Sequence, residues 1–387
     1  MAGINGISIN QLTCRMKKIL FAISVGLLSF FSVKAQEIYL LIGTYTTSGS
    51  DGIYVSKFNT QTGETKIISS VKTKNPSYLA VAPNKTVVYA VNEIDTGSIT
   101  SFSFKKETGI LTKMNSVPSG GANPCYISVN SNGRYAVAGN YSSGTIAVAG
   151  IRFNGELNLP KQIIQHKGKS SNKDRQEKPH VHSTVFSPDY KYLFASDLGI
   201  DKIMIYKVAP KSGVLIPADL PFINVKPGAG PRHFEFHPNG KFAYLMEELS
   251  GTVSVFAYDD GKLSLLQNTS SHPMSFTGAY GSADIHVSPD GNFLYCSNRG
   301  DANSIAIFSI DQKTGMIQIA GFQPTLGVHP RNFTIDPAGN FLLVANRDSD
   351  EIVVFKINKK TGLLDDTKVR IKVSKPVCLK WITNTTP

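Results

Sequence analysis

Between Gly281 and Arg299 the chain reads GSADIHVSPDGNFLYCSNR. Apolar and polar residues alternate through Ile285 and Val287, Pro289-Asp290-Gly291 interrupts them, and a second apolar run follows from Phe293 to Cys296. A two-residue period marks a strand, and Pro-Asp-Gly between two such runs marks a tight turn. The stretch is a strand hairpin, and it recurs. Copies read NPSYLAVAPNKTVVYAVNE from Asn75, NPCYISVNSNGRYAVAGNY from Asn123 and HVHSTVFSPDYKYLFASDL from His180. Two more read GPRHFEFHPNGKFAYLMEE from Gly230 and HPRNFTIDPAGNFLLVANR from His329. Registered on their turns at Pro83, Ser131, Pro188, Pro238, Pro289 and Pro337, the copies are 48, 57, 50, 51 and 48 residues apart. A period near 50 residues is that of propeller blades.

Each hairpin is followed by a third apolar run, such as Thr252 to Phe256, and a fourth introduced by Thr-Gly or Asp-Gly, as at Thr108-Gly109, Thr314-Gly315 and Thr361-Gly362. Four strands per repeat and no helical periodicity make a blade. The ends of the chain complete the pattern. Lys375 to Trp381 matches a first strand and then the chain stops, while Ile38 to Gly43 looks like a second strand that lacks its first. The reading is all-β: a seven-bladed β-propeller with four-stranded blades, closed by one blade shared between the N- and C-termini. Residues 36–387 form this single domain.

Residues 1–35 stand apart. Arg15, Lys17 and Lys18 precede an apolar run from Ile19 to Val33, and Ala35 offers a small residue for cleavage. That is the pattern of a signal peptide, too short for a comfortable membrane span. Met16 fits the true start, with an upstream extension before it. We therefore expect an exported protein, periplasmic or secreted, with no stable membrane span after cleavage. Loss of Arg15, Lys17, Lys18 and Lys34 takes the net charge from +12 to +8. No Lys/Arg block or nucleic-acid motif accompanies that charge, so it reads as a solvated basic surface without a nucleic-acid partner. With 41% hydrophobic and 18% charged residues, the chain is neither disordered nor a polytopic membrane protein. Cys125, Cys296 and Cys378 read as small buried apolar groups. A monomer or weak oligomer is expected.

The hairpin register gives a map of function. Residues just before the first strand and just after the second lie at the same mouth of the ring. The first position carries Ser77, Cys125, His182, Arg232, Ala283, Arg331 and Val377. The second carries Asn92-Glu93, Asn140-Tyr141, Asp197-Leu198, Glu247-Glu248, Asn298-Arg299 and Asn346-Arg347. The repeated Asn residues suit hydrogen bonds to neighbouring backbone. The set His182, Arg232, Glu248 and Arg299, with His180, His233, Asp284, Asn298 and Arg331 around it, can supply proton transfer and cationic stabilisation of an oxyanion. These side chains are expected over a water-filled mouth, where replacing them disturbs folding little. His180 and His182 alternate on one strand as a metal pair would, but no third ligand joins them, and neither metal nor other cofactor is expected. His166, His237 and His272 read as surface residues, and Asp301, Asp311, Asp336, Asp348 and Asp350 as turn caps.

At these residues the chain resembles the lactonase family of seven-bladed propellers, which includes propeller-type 6-phosphogluconolactonases and is related to carboxymuconate cyclases. The specific pieces are Arg175-Gln176, Pro179 to Ser183, Asp197-Leu198-Gly199 with Asp201, Gly230 to His233, Glu248-Leu249, Ser297 to Gly300 and His329 to Phe333. The resemblance implies catalysis by His182, Arg232, Glu248 and Arg299; substrate contacts from His180, His233, Asp284, Asn298 and Arg331 are expected from their place around that set. It departs from the family at Arg347, often Gln, and at Met246, often Asn. It implies a hydrolase opening a sugar lactone, with His182 or Glu248 activating water, and a small-molecule lactone or sugar acid as partner. A muconate-type lactonising cyclase and a non-catalytic carbohydrate- or protein-binding propeller are the alternatives. Export sits uneasily with a cytosolic phosphorylated substrate.

Overall fold

A computed structural model describes residues 1–3 and 37–383, so the expected export segment lies, but for its first three residues, outside the described residues. Among the described residues, 28 strands form seven four-stranded antiparallel sheets. Blades 1 to 6 span 79–118, 124–165, 181–224, 231–270, 282–324 and 330–372. Each runs from its inner strand, at the central channel, to its outer strand at the rim. Blade 7 joins the inner strand Pro376–Ile382 to Glu37–Thr44, Gly52–Asn59 and Thr65–Lys72. The shared blade is as the sequence suggested.

The second strands show why the ring holds. Val87–Asn92, Tyr135–Asn140, Phe242–Glu247, Phe293–Asn298 and Phe341–Asn346 are buried at every residue. Neighbouring blades cover both faces, so a continuous apolar run replaces simple alternation. The core lies between blades: Phe293, Tyr295 and Ile307 of blade 5 pack on Phe333, Leu342 and Phe355 of blade 6. Tyrosines pin one blade to a glycine turn of the next, Tyr89 to the Gly155 carbonyl at 3.0 Å, Tyr244 to Gly315 at 3.1 Å and Tyr295 to Gly362 at 2.9 Å. At the seam, Leu41 pairs with Lys380 and Ile42 with Leu379. Trp381 donates its indole N–H to the Ile335 carbonyl at 2.8 Å and packs edge-on against Phe58.

Short 3₁₀ turns, Leu198–Ile200 and Arg347–Ser349, leave two of the second strands. One expectation is corrected. His166, His237 and His272 are buried, not on the surface. His166 sits between Asp197 at 2.6 Å and the Tyr206 hydroxyl at 2.9 Å, and His237 lies 2.9 Å from the Gly291 carbonyl of the next blade. Their rings tie connections together, which a repeat pattern does not reveal. Cys125, Cys296 and Cys378 are free and buried.

Candidate active site

The channel-facing residues are delivered by β-bulges. In blade 4, Pro231 pairs with Glu247 and His233 with Met246, leaving Arg232 as the extra residue. The same shift isolates Cys125, His182 and Arg331, and in blade 5 it falls across Ala283 and Asp284. In blade 7, Thr44 pairs with Pro376 and Gly43 with Cys378, which isolates Val377. A bulge disrupts the ladder at one point and re-aims its side chain. These positions thus lie inside the inner strands rather than ahead of them, as the hairpin register had suggested. Cys125, His182, Arg232, Arg331 and Val377, together with His233, line one small cavity at the centre of the ring.

Glu248 organises the positive charge beside it. Its carboxylate lies 2.9 Å from Arg232 Nε, 3.1 Å from Arg299 Nη2 and 2.7 Å from Arg175 Nη2. Arg232 Nη1 donates to the Ala283 carbonyl at 2.6 Å, and Arg299 Nε to the Gly281 carbonyl at 2.7 Å. The side chains of Arg232 and Glu248 are only 1% and 6% exposed. They do not stand over open water, so replacing them will also disturb folding. Burial alone would raise the Glu248 carboxyl, but Arg299, Arg232 and Arg175 overcome it and hold the group far below its ordinary value. A carboxylate so stabilised is a poor proton acceptor. Glu248 thus fixes the positions of three guanidiniums. Burial, against the pull of Glu248, lowers Arg299 to about 10.

His182 is held neutral, its pKa pushed well below the usual value by burial and then by Arg232 and His233. Its ring meets Tyr141 edge-on at 5.6 Å and His233 at 5.2 Å. A second ionic group stands across the mouth: Arg331 lies 3.5 Å from Glu93, and the Tyr45 hydroxyl donates to Glu93 at 3.0 Å. His180 stacks on Tyr141 at 4.5 Å and reaches Glu177 at 3.3 Å, backing the site rather than lining the cavity. Asp284 is buried under the rim, 2.6 Å from His233 Nδ1 and 3.2 Å from His286 Nε2.

Asn298 corrects the substrate-contact expectation. It is fully buried, donates to the Ser271 carbonyl at 2.7 Å and accepts from Ser282 and Ser271. Asn92, Asn140 and Asn346 likewise bond the carbonyls of Lys74, Ser119 and Thr325, each in the connection entering its blade. Asp197 does the same work in blade 3, accepting from the His180 and Gly199 N–H groups. Gly199 is required there, because a Cβ would lie 1.9 Å from the Lys178 carbonyl. Asp201 accepts from Gly228 and Gly230 N–H at 2.7 Å, fixing the approach to Arg232.

Sequence reasoning placed Glu93 and Tyr141 at the mouth and Arg175 in a family motif, yet left all three, with Tyr45, out of the site. A further signal was available for Arg175. The 57-residue spacing between the second and third copies exceeds the others, and the surplus is the loop that carries Arg175 to Glu248 and to the Tyr141 hydroxyl at 3.1 Å. Among the described residues, no three His, Cys, Asp or Glu side chains are grouped to hold a metal ion.

Six of the seven blades carry this bulge, and those of blades 3, 4 and 6 aim His182, Arg232 and Arg331 into one buried cavity, which gives a propeller the equipment of a hydrolase. The chain belongs to the Lactonase, 7-bladed beta-propeller family, whose pattern matches residues 39–381. It is 38% identical over 353 residues to a 6-phosphogluconolactonase of Formosa agariphila, covering 89% of this chain and 99% of that one. A 6-phosphogluconolactonase of Bacillus subtilis is 37% identical over 348 residues, covering 88% and 97%. The solved structure of the Pseudomonas aeruginosa periplasmic gluconolactonase matches with a TM-score of 0.86 at 37% identity, covering 91% of this chain and all of that one.

Proposed function

We propose that this lactonase hydrolyses a gluconate-type sugar lactone at the channel mouth above the water-sized cavity lined by His182, Arg232 and Arg331. The observation that carries the reading is the buried Glu248 shared among Arg232, Arg299 and Arg175 beside a neutral His182. Guanidiniums fixed in advance favour the charge that develops on the lactone carbonyl oxygen, and they do so without reorganising. They also suit the carboxylate that ring opening creates. The named relatives are hydrolases, which favours hydrolysis over the cyclase and binding-only alternatives. Export through residues 1–35 belongs to the same reading, supported by the signal pattern and by the periplasmic relative. An exported enzyme meets free gluconolactone more readily than its phosphate. Mature protein beginning at Gln36, weighed by mass spectrometry, tests the export step.

The activity test is steady-state hydrolysis of gluconolactone and of 6-phosphogluconolactone, corrected for spontaneous opening, on wild type, Arg232→Ala and Arg299→Ala. Loss of one oxyanion donor lowers turnover on the order of 100-fold to 1,000-fold. Full turnover in both folded variants would remove the site assignment.

A further inference from the structure

We propose that His233, oriented by Asp284, is the general base that activates the hydrolytic water, a role that nothing in the family resemblance gives it. The proposal rests on the lactonase reading and deepens it.

The argument begins with the tautomer. Asp284 Oδ1 lies 2.6 Å from His233 Nδ1, and its other oxygen accepts from Asn332 and from the Phe333 N–H and lies 3.2 Å from His286 Nε2. Burial works to raise Asp284, but His286 and His233 hold its carboxyl well below the ordinary value, so it is an acceptor. Nδ1 of His233 must then carry the proton, and Nε2 keeps its lone pair. Nε2 has no protein hydrogen-bond partner among the described residues, and the ring lines the cavity that Arg232 and His182 also line. A buried carboxylate behind one nitrogen and a free lone pair in front is the arrangement that orients a histidine base and stabilises the imidazolium it becomes.

His182 lacks that support. Its Nδ1 is buried without a hydrogen-bond partner, and no carboxylate in the described residues bonds to the ring. Protonating it would place a new charge near Arg232, Arg299 and Arg331 with nothing to balance it. A neutral His182 is better suited to orient or donate than to accept. The groups facing His233 are Arg232 on its own strand, His182, Tyr78 and Tyr126 from blades 1 to 3, and Asp284 with His286 from blade 5. Burial, then Arg232, outweighs Asp284, which favours the imidazolium, and lowers His233 to about 4, so the ring is unprotonated at neutral pH and a weaker base than a free imidazole. His286, braced between Asp284 and Glu235 at 3.3 Å, fixes the carboxylate from behind.

The step balances. His233 Nε2 takes a proton from water as the water oxygen bonds to the lactone carbonyl carbon, and the carbonyl π pair moves onto its oxygen beside the guanidiniums. When the tetrahedral adduct collapses, the ring C–O bond breaks and the proton passes from Nε2 to the departing ring oxygen. The product is a hydroxy acid whose carboxyl proton goes to solvent, and His233 is neutral again.

The test compares wild type, His233→Asn, His233→Ala, Asp284→Asn and His182→Ala on gluconolactone. His233→Asn can keep a donor for Asp284 while removing the base. We expect its kcat to fall roughly 100-fold to 10,000-fold with KM within about threefold, since the substrate-holding arginines are untouched. Asp284→Asn should lower kcat on the same scale through the wrong tautomer. Exogenous imidazole should restore turnover to His233→Ala but not to Asp284→Asn, a result that a structural role for His233 would not produce. If wild type is active and His233→Asn retains most of its kcat, or imidazole rescues His182→Ala instead, the dyad is wrong while the lactonase reading stands. If wild type opens neither lactone, the lactonase reading falls and the dyad with it.

Discussion

Glu248→Gln removes one negative charge and almost no volume. In the native protein that charge is shared by Arg232, Arg299 and Arg175, of which Arg232 is 1% and Arg299 11% exposed along the side chain. Neutralising one partner of a buried ion pair leaves an uncompensated buried charge and costs about 3–5 kcal/mol. Arg175, 43% exposed, adds little, because solvent screens its share. If the ring melts as one unit of about 350 residues, its unfolding entropy is about 0.7 kcal/mol/K, so Tm should fall by about 4–7 °C at pH 7. The pH dependence provides an internal control. A carboxyl whose folded pKa is depressed contributes stability that is present above its unfolded pKa and lost as pH falls toward the folded one. The gap between wild type and Glu248→Gln should therefore be widest at neutral pH and narrow below about pH 4.5. Scanning calorimetry from pH 7 to pH 3 measures it, and gluconate, if it binds the freed guanidiniums, should return part of the lost Tm. A variant melting within about 1 °C of wild type at pH 7 would show that the arginines do not depend on Glu248, and the ionic core of the proposed site would be wrong.

Two further outcomes follow from the fold. Deleting 376–387 removes the inner strand of blade 7, exposes the edge of Glu37–Thr44 and strips Trp381 from Phe58, so the whole ring should lose its cooperative melt. Leu379→Ala, a milder change at a 1% exposed position, should cost about 2–5 kcal/mol in denaturant titration; wild-type stability in both would refute closure by this strand. His286 is pushed up to about 10, because Asp284 and Glu235 outweigh its burial. A raised folded pKa gives stability that is full below about 6.5, the unfolded value, and lost as pH rises toward 10. His286→Gln should flatten the alkaline fall of Tm between pH 7 and pH 10, and an unchanged slope would show that His286 is not charged in the fold.

How much of this was legible in the sequence depends on whether a feature repeats. The hairpin repeats, so the blades, their number and the shared seam could all be read from Pro83 to Pro337 and from the half-blade at Lys375. The mouth of the channel was also legible, because hairpin register fixes which ends lie together. The bulge was not. It adds no residue that a pattern of alternation can distinguish, and only the pairing of Pro231 with Glu247 and His233 with Met246 exposes it. The partners of Asn298 and Glu248 were not legible, for one reason. Chemistry-bearing side chains at strand ends look alike in sequence, whereas the partner decides their role: the Ser271 carbonyl makes Asn298 a latch, and three guanidiniums make Glu248 an anchor. Buried His166 escaped because its partners, Asp197 and Tyr206, belong to the following blade.

The same distinction explains how a symmetric ring supports an asymmetric site. At the end of the second strand, Asn92, Asn140, Asp197, Glu247, Asn298 and Asn346 keep one chemical character, because each must accept or donate a bond that holds local backbone or hydroxyl groups. The bulge position keeps none: Cys125, His182, Arg232, Arg331 and Val377 occupy equivalent places. A bulge is defined by its backbone, and the ladder on either side closes whatever side chain it carries. Chemistry can therefore change at one blade without altering the others. The constraint returns only where a buried side chain needs a partner. There Arg232 requires Glu248, and His233 requires Asp284, so each of these two brings a carboxylate with it. Those carboxylates come from different places, Glu248 just past the second strand of blade 4 and Asp284 from the inner strand of blade 5. The site is thus held across a blade boundary, and the packing that closes the ring is the packing that orients its chemistry.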